Sequence, residues 1–348
     1  MVRAATRRED GVSAIDFHTL PKVELHRHLE GSVRPATILE IARRYDLPLP
    51  ATKLDDLKTA LYVTEPMESI QQVFARFRPA QQSFAGPEEV ERISREIIED
   101  AAADGVALVE LRFSPAFMTQ IHALPWDELL DAVSSGVRLA QREHEIEVGL
   151  IVIASRDLGV ERCDETVEFC VEHLDRIVGI DLAGDETRWP ARRFQSAFDR
   201  AARAGLRITV HAGEIGPPSE IEDALSLLHA ERIGHGVQAV ESPALVADLV
   251  RERIPLELCP TSNVMTRSAA SFATHPLQRL LRAGVVTTLS SDDPEVFGIT
   301  LTHEYEVCGR EMGLTAEELV ACNRHALDST FLPRERTEWM REQMEGGL

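Results

Sequence analysis

Short, apolar, β-branched runs recur along the chain, and several end abruptly in histidines and carboxylates. They occupy residues 23–28, 107–113, 148–153, 177–182, 208–214, 233–236, 255–259 and 285–294. Runs of this length and composition suit strands buried on both faces. Between them lie stretches with helical spacing, such as 88–103, 126–144, 190–204 and 243–253. Gly105 and Gly205 stand just past two of these, a helix-termination signal. Eight strand–helix alternations predict an α/β fold, a parallel sheet closed into a (β/α)8 TIM barrel.

The spacing is uneven in one place. Residues 31–106 hold far more chain than one helix needs, with helical signals at 34–45, 55–61 and 67–84. The range is read as extra helices inserted after the first strand, forming a lid or pocket wall; peripheral decoration is the alternative. Beyond Leu314 the chain reads as helical, with Leu319, Val320, Cys322 and Phe331 as packing residues. No repeat or low-complexity linker divides it, so residues 1–348 are expected to form a single barrel domain, with 1–19 as an N-terminal tail.

Composition narrows the partners. The net charge of −21, from 58 acidic and 37 basic side chains, argues against nucleic acid and anionic membranes and favours a small, neutral substrate. The five cysteines are scattered without CxxC spacing, which points to free thiols in a reducing cytoplasm. No apolar run approaches the roughly 18 residues of a membrane helix. The charged first eleven residues lack the apolar centre of a signal peptide. A cytoplasmic location is therefore expected; oligomeric state is not legible.

The chemistry sits at the strand ends. His26 and His28 lie two apart at the close of the first run, so both side chains point to one face. With His211 and Asp292 they form a set suited to catalytic zinc, which takes about three protein N or O ligands plus water, sometimes expanding to five-coordinate. The only lysines are Lys22, Lys53 and Lys58, none near 181–185, where a carbamylated lysine bridges two metals in related barrels. One Zn2+ per chain is expected, in a metal-dependent hydrolase. Glu214, three residues after His211, can donate a proton if burial raises its pKa. His235 lies between two glycines and is placed to orient or deprotonate the attacking water. Asp293, adjacent to Asp292, is left free to bind substrate.

Six segments, 21–31, 179–186, 209–214, 232–236, 259–263 and 291–294, resemble those of the adenosine deaminase family, in order and over nearly the whole chain from Leu20 to about Phe331. The resemblance implies zinc on His26, His28, His211 and Asp292, with Glu214 protonating purine N1 and His235 assisting the attacking water. It implies that the Gly184 amide serves N3 and that Asp293 meets N7. Where adenosine-specific members usually carry aspartate against the ribose 5′-hydroxyl, this chain has Glu30; the Ser290-Ser291 pair also replaces the more usual Asn-Thr. The implied reaction is hydrolytic deamination of a purine 6-amino group, adenosine to inosine and ammonia. Adenine, or a 5′-modified adenosine such as the aminofutalosine of menaquinone synthesis, is the alternative substrate. A silent purine-binding barrel would have lost Glu214 or a zinc ligand.

Overall fold

The computed structural model describes residues 16–346, apart from 69–71 and 74. Most of the expected 1–19 tail lies outside the described residues. Eight strands follow one another: β1 (Lys22–His28), β2 (Val106–Phe113), β3 (Glu147–Ser155), β4 (Gly179–Ala183), β5 (Thr209–Ala212), β6 (Arg232–His235), β7 (Leu256–Leu258) and β8 (Thr287–Leu289). Every hydrogen-bonded neighbour is parallel, within two four-stranded halves. Single bridges at Ile180–Ile208 and Arg27–Asp292 join the halves and close the ring. The expected (β/α)8 barrel is thus observed. Strand limits differ from the sequence reading by a few residues, most at the eighth, where only Thr287–Leu289 of 285–294 is strand.

The helices form where local signals favour them. Pro87, Pro243 and Pro260 each occupy a first turn, where the missing N–H costs nothing. Helix Ala316–Ser329 opens on a capping box: Thr315 Oγ1 accepts from the Glu318 amide, and Glu318 accepts from the Thr315 amide. The segment after β1 folds as helices Pro35–Tyr45, Leu54–Leu61, Arg78–Ser83 and Pro87–Ala103. Val73 and Phe77 from it reach the central cavity. All five cysteines are free and buried. No helix among the described residues is long and apolar enough to cross a membrane.

The barrel interior is not uniformly apolar. Glu110, Arg112, Asp181, Arg232 and Glu257 project into it and are fully or almost fully buried. Arg112 donates to Asp181 and to Glu257, each at 2.8 Å. Arg232 donates to Glu257 at 2.7 Å and to Glu110 at 2.5 Å. Glu110 also accepts from the Thr330 hydroxyl and the Phe331 amide, and the Phe331 ring lies 3.6 Å from the Arg232 guanidinium. The C-terminal segment thereby seals the floor of the barrel.

Candidate active site

At the opposite end, the strand termini bring together the residues singled out by sequence. His28 Nε2 lies 3.2 Å from His26 Nε2 and 3.3 Å from His211 Nε2. Asp292 Oδ1 lies 3.2 Å from both His26 Nε2 and His28 Nε2. Bonds of about 2.0–2.1 Å at tetrahedral angles require donor atoms about 3.3 Å apart, so the spacing fits a zinc-sized cation.

The backs of two rings settle their protonation. His26 Nδ1 faces Glu257 at 2.8 Å, and His211 Nδ1 faces Asp181 at 2.9 Å. Burial opposes ionisation of both carboxylates, but the groups that face and donate to them win and hold both below the ordinary range. Arg112 and Arg232 dominate at Glu257, His211 and Arg112 at Asp181. Carboxylates accept, so each Nδ1 carries the hydrogen and each Nε2 turns a lone pair to the centre. A cation satisfies lone pairs this close; without one they repel.

His235 joins the same cluster: ligand atoms of His26, His211, His235 and Asp292 all lie within 4.8 Å of one another. The structure therefore gathers five metal-competent side chains where sequence reading assigned four. His235 and Asp292 both hold left-handed backbone, at φ 60° and 63°. Such non-glycine positions cost about 1–3 kcal/mol each and cluster at functional sites. His235 Nε2 stands 3.7 Å from Glu214 Oε2 and 4.0 Å from Asp292 Oδ2.

A cavity of about 350 Å³ opens above this cluster, and Glu30, Gly184, Glu214 and Asp293 line it. Burial, then the Asp292 and Glu186 charges, push the Glu214 carboxyl up to about 8. Asp293 is raised well above the usual range by burial and by Asp292 beside it. Its Oδ1 is buried without a partner. A Cβ on Gly31 would fall 1.8 Å from that oxygen, so only glycine lets Asp293 sit against the end of β1. Gly184, at φ 118°, is required in the same way, because a Cβ there would meet Asp157 at 2.2 Å. Glu30 accepts from the Ser114 amide at 2.6 Å through Oε1, while Oε2 is buried and unpartnered. Burial raises its pKa.

Sequence reading missed the residues behind the site. Glu257 and Arg112 lie within apolar runs, and Asp181 both in such a run and in the 179–186 segment; charges inside such runs are themselves a signal. Glu186 was passed over as well. It accepts from the amides of Gly213, Ile215 and Gly216, each at 2.7 Å, and so fixes the loop that carries Glu214. The Ser290-Ser291 pair stitches β8 to β1: the His26 amide donates to Ser290 Oγ at 3.1 Å, and the Ser291 amide and hydroxyl donate to Glu24.

Residues 21–346 match the family model described as adenosine deaminase. An adenosine deaminase of Klebsiella pneumoniae subsp. pneumoniae is 41% identical over 314 residues, covering 90% of this chain and 94% of its own. The solved adenine deaminase of Arthrobacter aurescens superposes with a TM-score of 0.87 at 29% identity, over 93% of this chain and 98% of that one. An amidohydrolase from Burkholderia ambifaria, solved with bound Zn, gives 0.86 at 26% identity, over 99% and 95%.

Proposed function

This chain belongs to the adenosine deaminase family and is a hydrolytic deaminase acting on a C–N bond of a purine; from that premise we propose that it converts adenosine to inosine and ammonia, with one zinc ion held by His26, His28, His211 and Asp292. The observation that carries the substrate is the cavity wall. No lysine or arginine lines it among the described residues, whereas Glu30, Asp157 and Asp293 do. A 5′-phosphate finds no counter-charge there. The unpartnered Glu30 Oε2 is instead an acceptor awaiting a hydroxyl, as the ribose 5′ position supplies.

In this reading the Gly184 amide donates to purine N3. Asp293, whose carboxyl pKa is raised well above the usual range by burial and by Asp292, donates to N7. Glu214 is protonated at neutral pH and gives its proton to N1, which makes C6 electrophilic. When bound, zinc lowers the pKa of water so that a nucleophile exists near pH 7. Water adds its oxygen to C6 and one of its protons passes to the 6-amino nitrogen. The C6–N6 bond then breaks to release ammonia, and the second water proton leaves the C6 oxygen as the carbonyl forms and restores Glu214. Residues 31–106 act as a pocket wall through Val73 and Phe77.

A panel of adenosine, adenine, 5′-deoxyadenosine, aminofutalosine and AMP, followed by ultraviolet loss of the 6-amino chromophore, tests the assignment. Adenosine should give the highest kcat/KM and AMP the lowest. Adenine as the best substrate would mean that Glu30 fills the ribose space. A win for 5′-deoxyadenosine or aminofutalosine would mean that the Glu30 carboxylate has swung aside.

A further inference from the structure

Behind His235 the structure holds a hydrogen-bonded chain that ends on the main chain. The Leu277 amide donates to His275 Nδ1 at 3.1 Å. A backbone N–H can only donate, so His275 Nδ1 is the acceptor and its Nε2 bears the hydrogen. That Nε2 lies 3.1 Å from Asn263 Oδ1. The Asn263 amide nitrogen in turn lies 3.1 Å from His235 Nδ1. Reversing the Asn263 amide would set its NH2 against the His275 N–H, two donors face to face. The direction is therefore imposed from the backbone outward. Burial pushes the His275 pKa down to about 4, so its ring stays neutral and keeps one acceptor and one donor nitrogen.

The geometry points to Asn263 and His275 as positioning residues that lock His235 with a lone pair on Nδ1 and the hydrogen on Nε2, making it a donor toward the attacking water and barring it from the metal. The inference rests on the deaminase reading of this site. His26 and His211 have carboxylates behind Nδ1 and turn bare Nε2 atoms forward. His235 has an amide N–H behind Nδ1 and turns an N–H forward. Among these three rings, which share one cluster, the group behind Nδ1 thus separates His26 and His211 from His235. His235 then holds the attacking oxygen between Glu214 and Asp292 by donation, and removal of the water's proton falls to another group.

Long-range ¹H–¹⁵N correlation on zinc-loaded enzyme labelled in histidine nitrogen tests this, with His235→Gln assigning the ring. The expected spectrum shows Nε2 protonated and Nδ1 unprotonated. Asn263→Asp is nearly isosteric and puts an acceptor behind Nδ1. It should invert the tautomer, retain zinc, and lower kcat roughly 10²-fold, the scale of a lost proton-positioning group, while KM moves less than about threefold. His275→Phe frees the Asn263 amide and should lower kcat less. A wild-type His235 protonated on Nδ1 overturns the proposal even if neither Asn263→Asp nor His275→Phe folds. So does an inverted Asn263→Asp enzyme with parental kcat. The spectrum is read without substrate, so failure of adenosine as substrate would leave it standing and sink only the substrate assignment.

Discussion

The two ends of the barrel interior hold the same residue types in opposite states. At the floor, every carboxylate oxygen of Glu110 and Glu257 has a partner, and Arg112 and Arg232 lie between the acids. At the rim, Glu30 Oε2 and Asp293 Oδ1 are buried with none. The pKa directions follow. Arginines hold Glu257 low against its burial, whereas burial raises Glu214, Asp293 and Glu30 with no arginine beside them to offset it. Desolvation acts at both ends; the neighbouring cation decides its outcome. Paired acids hold the strands together, and unpaired ones await a ligand.

Substitutions can break that contrast from either side. The largest effect is expected at His211, which we propose as a ligand of the rim cation and which also contacts Asp181. His211→Ala should abolish both bound metal and turnover, checked by metal analysis after gel filtration and by assay. Retained stoichiometric metal would remove His211 from the ligand set. Glu214→Gln keeps shape but cannot cycle a proton, so kcat should fall roughly 10²–10⁴-fold with zinc retained. A near-parental rate in the zinc-replete variant would assign the proton to another group.

At the floor the outcome should reverse. Glu110→Ala strips Arg232 of a buried partner, and breaking such a pair costs about 3–5 kcal/mol. Denaturant titration should show that loss while the folded fraction keeps its kcat/KM; unchanged stability would show the floor network to be dispensable.

A pH profile sharpens the rim's side. An acid whose pKa is raised to about 8 holds its proton below that pH and loses it above. The proton donor is therefore present at pH 7, and kcat/KM should decline above about pH 8 by about tenfold per unit. A flat profile to pH 10 would separate Glu214 from the basic limb. The smallest effect is expected from Glu30→Asp, which should alter kcat/KM for adenosine about tenfold and leave adenine nearly untouched. Equal losses on both would make Glu30 a support for the metal strand alone.

These two ends were unequally legible in the sequence. The barrel could be read because eight apolar runs alternate with helical spacing along the chain. His26, His28, His211 and Asp292 could be read because a strand end is a local feature. Glu30 was legible as a departure in side-chain length, though its bond to the Ser114 amide, from the end of another strand, was not. The floor escaped because Glu110, Arg112, Arg232 and Glu257 sit on three strands and pair only once the ring closes. His275 escaped for a related reason. It lies in a stretch that looks like ordinary loop, and its connection to His235 runs through Asn263, twelve residues away. Strand ends announce themselves; what stands behind them depends on closure.

The seal at the floor bears on how the protein is made. Thr330 and Phe331 complete the shell around Glu110 and cover Arg232, yet they leave the ribosome only after all eight strands. Until then, strands carrying buried arginines and glutamates have no cover over their lower ends. Nascent chains halted before residue 330 should therefore remain bound to chaperones and fall to proteases. The metal site, complete in sequence by Asp292, must wait about forty further residues for a barrel able to hold it.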